Sequence, residues 1–210
     1  MKKIKSLAIL SLLFAFSSCS PDDSLERKEV SEELVTKTAN FLNGEIVLGT
    51  HATMNGISKT LLPQGCPTKF YFKWNSVVGS SFTIQLMNFT VGKMPVIVNF
   101  ECNVKIIQLN SWEKAEYKGE GWIKFNGVDG SVISEESKEG GQTTTAKGSM
   151  VKGYYNVNTH EINFIIDYNM MNVRSECFLQ TIDKNRIKNY EEEFAQYERD
   201  LEAYKKEHGL

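Results

Sequence analysis

Residues 96–106 read Val-Ile-Val-Asn-Phe-Glu-Cys-Asn-Val-Lys-Ile, and their period of two decides the fold. Val96, Val98, Phe100, Cys102, Val104 and Ile106 share one side of an extended chain, while Asn99, Glu101, Asn103 and Lys105 share the other. Successive side chains of a strand point to opposite faces, so this segment is a strand with one face buried and one wet. The same alternation recurs to either side. Phe70, Phe72 and Trp74 alternate with Lys69, Tyr71 and Lys73; Phe82, Ile84 and Leu86 alternate with Thr83 and Gln85. Ile162, Phe164, Ile166 and Tyr168 alternate with Glu161, Asn163 and Asp167. Weaker runs lie at Ile46–Met54, at Ile123 and Phe125, at Val151–Val157, and at Val173, Cys177 and Leu179.

That makes roughly eight strands separated by turn residues. The turns fall at Asn55-Gly56, Val91-Gly92-Lys93, Asp129-Gly130 and Asn158-Thr159. No helical crossover lies between the strands, so they pair antiparallel. One buried face per strand closes into a barrel or a sandwich. Ser134–Lys147 is apolar only at Ala146 and reads as a loop at one end of that structure.

The ends of the chain follow other rules. Lys2, Lys3 and Lys5 precede the apolar run Leu7–Phe16, and Ser17 and Ser18 then precede Cys19. This is the order of a secretory leader, so residues 1–18 are expected to be a signal peptide. About ten apolar residues cannot span a membrane as a helix, which needs about 20. A cysteine straight after the small residues resembles a lipobox, which implies acylation of Cys19 as the first mature residue and anchorage to a membrane. Residues 19–30 form an acidic tether. Its Ser20, Pro21, Asp22 and Asp23 resemble the surface-export signal of Bacteroidetes lipoproteins, which implies an outer-membrane, surface-exposed location. Asp23-Ser24-Leu25 resembles the short O-glycosylation motif of the same phylum, with Ser24 as the acceptor.

Ser31 reads as an N-cap for a short helix at about 31–42, with Glu32 and Glu33 in its first turn and Gly44 as its terminator. At the other end, Ile187, Tyr190, Phe194, Tyr197, Leu201 and Tyr204 step by alternating threes and fours. That is a heptad seam on a long amphipathic helix over 183–210, capped by Asp183. The seam could pack on the body or dock a protein partner. The middle section, 31–182, is then one β domain with a leading helix.

The net charge is −2, and about −5 once the three leader lysines are removed. A mildly acidic chain with no basic cluster argues against nucleic-acid binding. Besides Cys19, three cysteines remain: Cys66, Cys102 and Cys177. At most one disulfide can form among them. Cys102 and Cys177 lie on the apolar faces of their strands and are the candidate pair, or else buried thiols. No Cys/His spacing suits zinc, and no cofactor is implied.

Phe82–Leu109 (FTIQLMNFTVGKMPVIVNFECNVKIIQL) and Gly148–Leu179 (GSMVKGYYNVNTHEINFIIDYNMMNVRSECFL) resemble the calycin-like β-barrel lipoproteins of Bacteroidetes. In that family an Asn-Phe element and a Met-Pro or similar turn lead into the next strand, and a Gly-led strand follows later. Asn88-Phe89, Met94-Pro95 and Gly148 fill those places. The resemblance covers about 44–182 and implies a lipocalin-like antiparallel barrel with no particular activity. The two terminal helices depart from the family's pattern.

Catalytic signatures are missing. His51 and His160 read as surface or hydrogen-bonded histidines, and Phe164 stands where a metal-binding H-E-x-x-H motif would need its second histidine. His208 decorates a helix end. Glu101, Glu116, Glu120, Glu161 and Asp167 fall mostly on the wet face of their strands, where a glycosidase would need two at a set separation. Trp112 and Trp74 are the candidate ligand contacts. Trp74, Trp112 and Trp122 could all stack on sugars; Trp74 has core parity, so packing is its default, and Trp112, expected in a loop after Asn110-Ser111, is the best exposed candidate. The expectation is a non-catalytic, lipid-anchored binding module for a small apolar ligand or a glycan. The alternatives are an envelope hydrolase and an accessory subunit docking through its last helix.

Overall fold

A computed structural model describes residues 30–74, 79–90, 96–136, 141–170 and 172–210. The leader, Cys19, the export segment, Ser24, the Val91-Gly92-Lys93 turn and Met94-Pro95 lie outside the described residues.

Among the described residues nine strands form one sheet: β1 Gly44–Met54, β2 Ile57–Ser58, β3 Cys66–Trp74, β4 Ser81–Phe89, β5 Val96–Ile107, β6 Trp122–Glu136, β7 Thr143–Asn156, β8 Glu161–Asp167 and β9 Val173–Thr181. Apart from the short β2, each strand pairs antiparallel with the next, and β9 returns to β1 over Thr50↔Cys177 to Met54↔Val173. The eight long strands therefore close into an up-and-down barrel, the closure that leaves no long edge unpaired. The two-residue β2 hangs from β1 by a hairpin at Asn55-Gly56. Both residues have positive φ, 52° and 75°, as a type I′ turn requires.

The expected inward set points inward. Phe70, Phe72, Phe82, Phe100, Phe125 and Phe164 are almost wholly buried with Ile46, Leu48, Ile84, Val104 and Ile162. Each such ring contributes on the order of 1.5–3 kcal/mol by leaving water. The rings meet across the middle of the barrel. Phe70 meets Phe164 edge-on at 5.0 Å, and Phe82 meets Phe125 at 5.5 Å. Room for them comes from Gly153, where a Cβ would collide with the Phe125 ring and with Phe164 Cβ.

Helix α1, Glu32–Phe41, plugs one end. Ser31 caps it by accepting from Leu34 N–H, as its sequence predicts. The helix ends at Phe41, two residues ahead of Asn43, and Gly44 instead opens β1. Val35 and Leu42 join the barrel core, and the Leu42 carbonyl accepts the Trp74 indole N–H at 2.6 Å.

Five details differ from the sequence reading. Asp129-Gly130 is not a turn; β6 runs through it with a bulge, its register shifting between Gly127 and Ser131. Ser134–Glu136 and Thr143–Lys147 are not loop but the paired ends of the long β6–β7 hairpin. Leu179 is 52% exposed rather than buried. Ile162 pairs with Gln180 and Phe164 with Cys177, so β9 carries one extra residue there and its parity flips. Cys102 and Cys177 are both free, buried thiols, as is Cys66. Cys102 and Cys177 do face the interior, but β5 and β9 stand four strands apart either way around the ring. At about 4.8 Å per strand that places them across the barrel, beyond the ~7 Å Cα separation a disulfide tolerates. Finally, the last segment begins as a 3-10 turn, Lys184–Asn189, capped by Asp183, and becomes helix α3 only over Tyr190–His208.

Helix α3 lies on the outside of the wall, against β3. Its Tyr197 and Leu201 bury against Leu62 and Cys66, with Phe194 and Tyr204 partly buried beside them. The heptad seam is thus spent on the barrel. No helix among the described residues is long and apolar enough to cross a membrane.

Candidate functional site

The most chemically dense patch lies on the outer wall of β6, β7 and β8 under a helix the sequence reading did not foresee. Helix α2, Ser111–Glu116, starts from a reciprocal cap. Asn110 Oδ1 accepts from Glu113 N–H at 2.8 Å, and Glu113 Oε2 accepts from Asn110 N–H at 3.0 Å. The cap turns the carboxylate of Glu113 inward onto the wall, where it is 8% exposed. There its Oε1 accepts from Lys124 Nζ at 2.6 Å and from the Tyr154 hydroxyl at 2.7 Å, with Lys152 Nζ at 3.8 Å.

Lys124, Tyr154 and Asn163 are cross-strand partners, so they stand in one row on the wet face. Tyr117, just past α2, stacks on Tyr154 at 4.0 Å, and its hydroxyl accepts from Asn163 Nδ2 at 2.8 Å. Trp122 tilts against Tyr117 at 4.8 Å and donates its indole N–H to the Lys118 carbonyl. Leu109 completes this small apolar cluster.

Burial works to raise the Glu113 pKa. The Lys124 ammonium, the Asn110 N–H and the Tyr154 hydroxyl outweigh it and hold the carboxyl below its ordinary range. Tyr154 is pushed well up, first by burial and then by the carboxylate it bonds. The Glu113 carboxylate is therefore ionised near neutral pH and engaged through both oxygens, while the buried Asn163 Oδ1 in the same row has no hydrogen-bond partner among the described residues. The carboxylate is a fastening for α2.

What α2 presents outward is Trp112, 85% exposed. It sits on a helix rather than the expected loop, next to the residue clamped to the wall. Trp74 is a different case. Besides its bond to Leu42 it stacks on Phe82 at 5.0 Å, so it belongs to the plugged end and is not free to meet a ligand.

The other candidates scatter. His51 lies on β1 opposite Glu176 and tilts against Phe178. His160 is more embedded than its sequence position implied. It stacks on Phe41 at 3.5 Å, and its Nδ1 meets the Tyr155 hydroxyl at 2.9 Å. Burial, helped by Lys184, lowers its pKa. His208 stacks on Tyr204 at the end of α3. Of the carboxylates, Glu101 bonds Gln85, Glu161 accepts from Thr159, and Asp167 pairs with Arg174. Glu101 lies on β5, Glu161 and Asp167 stand at opposite ends of β8, and Glu116 and Glu120 are exposed at and just beyond the end of α2. Burial pushes the Cys66 and Cys102 thiols up to about 11 and Cys177 higher still, so none is a poised nucleophile. Among the described residues, no three of His, Cys, Asp and Glu gather as a metal site.

Sequence reasoning missed Glu113. Its signal was present as Asn110-x-x-Glu113, the spacing of a capping box.

Neither the curated proteins nor the solved structures compared with the chain yield a match. A family model described as a domain of unknown function, DUF4903, matches residues 19–209, nearly the whole chain, and the protein belongs to that family.

Proposed function

We propose that this protein is a lipid-anchored, non-catalytic binding module of the outer membrane, displayed on the cell surface, and that it meets a glycan through the outer face of its barrel. The observation that carries this reading is Trp112. A large aromatic ring 85% exposed is mounted on a short helix whose other side is fastened by a buried carboxylate. A rigid, solvent-facing indole is a stacking platform for a sugar ring, and it costs little ordering entropy on binding. Glu116 and Lys114, exposed on the same helix, supply hydrogen-bonding groups at its edge.

Rings occupying the middle of the barrel favour this outer face over an interior apolar ligand. Scattered, engaged carboxylates favour binding over hydrolysis. The anchor reading rests on the leader, on Cys19 after Ser17-Ser18, and on a family match that starts at residue 19.

Screening the protein against soluble polysaccharides, with titration calorimetry as the readout, is expected to find a binder that Trp112→Ala loses. A binder unaffected by Trp112→Ala overturns the platform. For the anchor, Cys19→Ala is expected to shift the protein from the membrane fraction to the soluble fraction; unchanged partitioning refutes it.

A further inference from the structure

A recess lies away from α2, where the 3-10 turn and α3 pass over the start of β3. Its volume is about 500 Å³, within the range of small-molecule sites. The floor is Pro67, Gly65 and the ring of Tyr197. Tyr197 is 5% exposed, and its hydroxyl has no oxygen or nitrogen partner.

Most of the charged side chains around the rim are held by a neighbour. Arg186 pairs with Glu193 through Nε and Nη2, one edge of its guanidinium. Arg199 donates to Gln196 Oε1 at 2.6 Å, and Gln196 Nε2 donates to Asp200 Oδ1 at 2.7 Å. Three carboxylates, Glu192, Glu193 and Asp200, line the recess beside two guanidiniums, and that balance disfavours an anion. What remains open is Glu192 and the amides of Gln64 and Asn189, all exposed and all without a hydrogen bond in the structure. Amides donate and accept at once, and a carboxylate accepts from two hydroxyls. That set matches a ligand whose every polar atom is both donor and acceptor, over an apolar floor.

We propose that the recess between α3 and the β2–β3 connection binds a neutral, polyhydroxylated ligand of mono- or disaccharide size. It is independent of the Trp112 platform, lies on different elements, and would stand if that platform fell.

The test is amide and indole chemical-shift mapping on the 15N-labelled full chain. Maltose, cellobiose and N,N′-diacetylchitobiose serve as neutral probes; glucose 6-phosphate and spermidine serve as charged controls. The expected result is saturable shifts for at least one neutral sugar at Gly65, Glu192 and Gln196. Gln64 and Glu192 are exposed, so the Gln64→Ala/Glu192→Ala double variant keeps the fold. Two lost hydrogen bonds should weaken binding about tenfold. Trp112→Ala should leave these shifts unchanged. Shifts confined to the Trp112 indole overturn this site and leave the platform standing. Saturable shifts at the recess only for a charged control, or none with any probe, also overturn it.

Discussion

Tyr154 and Tyr155 are neighbours on β7, and the wall between them separates two ways of holding aromatic rings. Tyr155 points inward, wholly buried, into a core joined by shape, where phenylalanines meet edge-to-face and one glycine makes the space. Tyr154 points outward into a cluster joined by charge, its hydroxyl on Glu113 and its ring stacked on Tyr117 with Lys152 over it. Shape complementarity inside is unforgiving of volume and indifferent to pH. The outer cluster should tolerate volume but respond to charge.

The largest effect is expected inside. Phe125→Ala should cost about 3–5 kcal/mol in urea unfolding, the range for a buried ring replaced by a cavity. Gly153→Ala should cost about 1–3 kcal/mol by overpacking, and a Phe125→Leu background should recover part of it. Additive losses would mean the two residues do not share one space.

Next comes the outer clamp. Glu113→Gln should cost about 1–3 kcal/mol, since it leaves Lys124 without its counter-charge while keeping the shape. The carboxyl is held below its ordinary range in the folded state. Its contribution is therefore complete above the unfolded value near 4.5 and lost as pH falls through the folded one. In Glu113→Gln, part of the acid dependence below pH 4.5 should vanish. An unchanged pH profile would break the contrast with the interior.

His160 sits where the two regimes touch, at the end plugged by α1. Its folded pKa is lowered, so the unfolded chain takes up the proton first and stability falls as pH drops below about 6.5. Protonation makes Nδ1 a donor, so the contact then requires the Tyr155 hydroxyl oxygen to accept. His160→Asn tolerates the positive φ of 58°. It should cost about 1 kcal/mol at neutral pH, on the scale of one net hydrogen bond, and flatten the profile below the unfolded value of about 6.5. The smallest effect on stability belongs to Trp112→Ala, within about 0.5 kcal/mol as for an unengaged surface residue, although the same change should abolish glycan binding.

Much of the barrel was legible because alternation reports which face a residue takes. Residues 96–106 and 161–168 needed nothing else. Alternation does not report distance, and so Cys102 and Cys177 shared the interior without sharing a wall. It also fails at bulges. Asp129-Gly130 carries turn residues, yet β6 runs on because the partner strand β7 is long enough to follow it. One extra residue in β9 turned Leu179 outward, and only the pairing with β8 reveals it. Helix α2 is too short for periodicity to register, so the clamp at Glu113 was visible only as a four-residue cap. Trp112 was recognised as exposed because nothing around it in sequence gave it a face to bury.

The same bulge in β9 sets the seam of the barrel. Where β9 drifts out of register, the Gln180 side chain takes the place of backbone, donating to the Gly49 carbonyl at 2.9 Å and accepting from its N–H at 2.8 Å. These partners stand 131 residues apart. Every other adjacent pair of long strands is close in the chain, so a meander can grow from any hairpin, but the ring cannot shut until the last strand has been made. The slowest, most entropically costly step of folding is thus postponed to the end of synthesis. A chain cut before Val173 would leave β1 and β8 as two naked edges, ready to pair with a neighbouring copy.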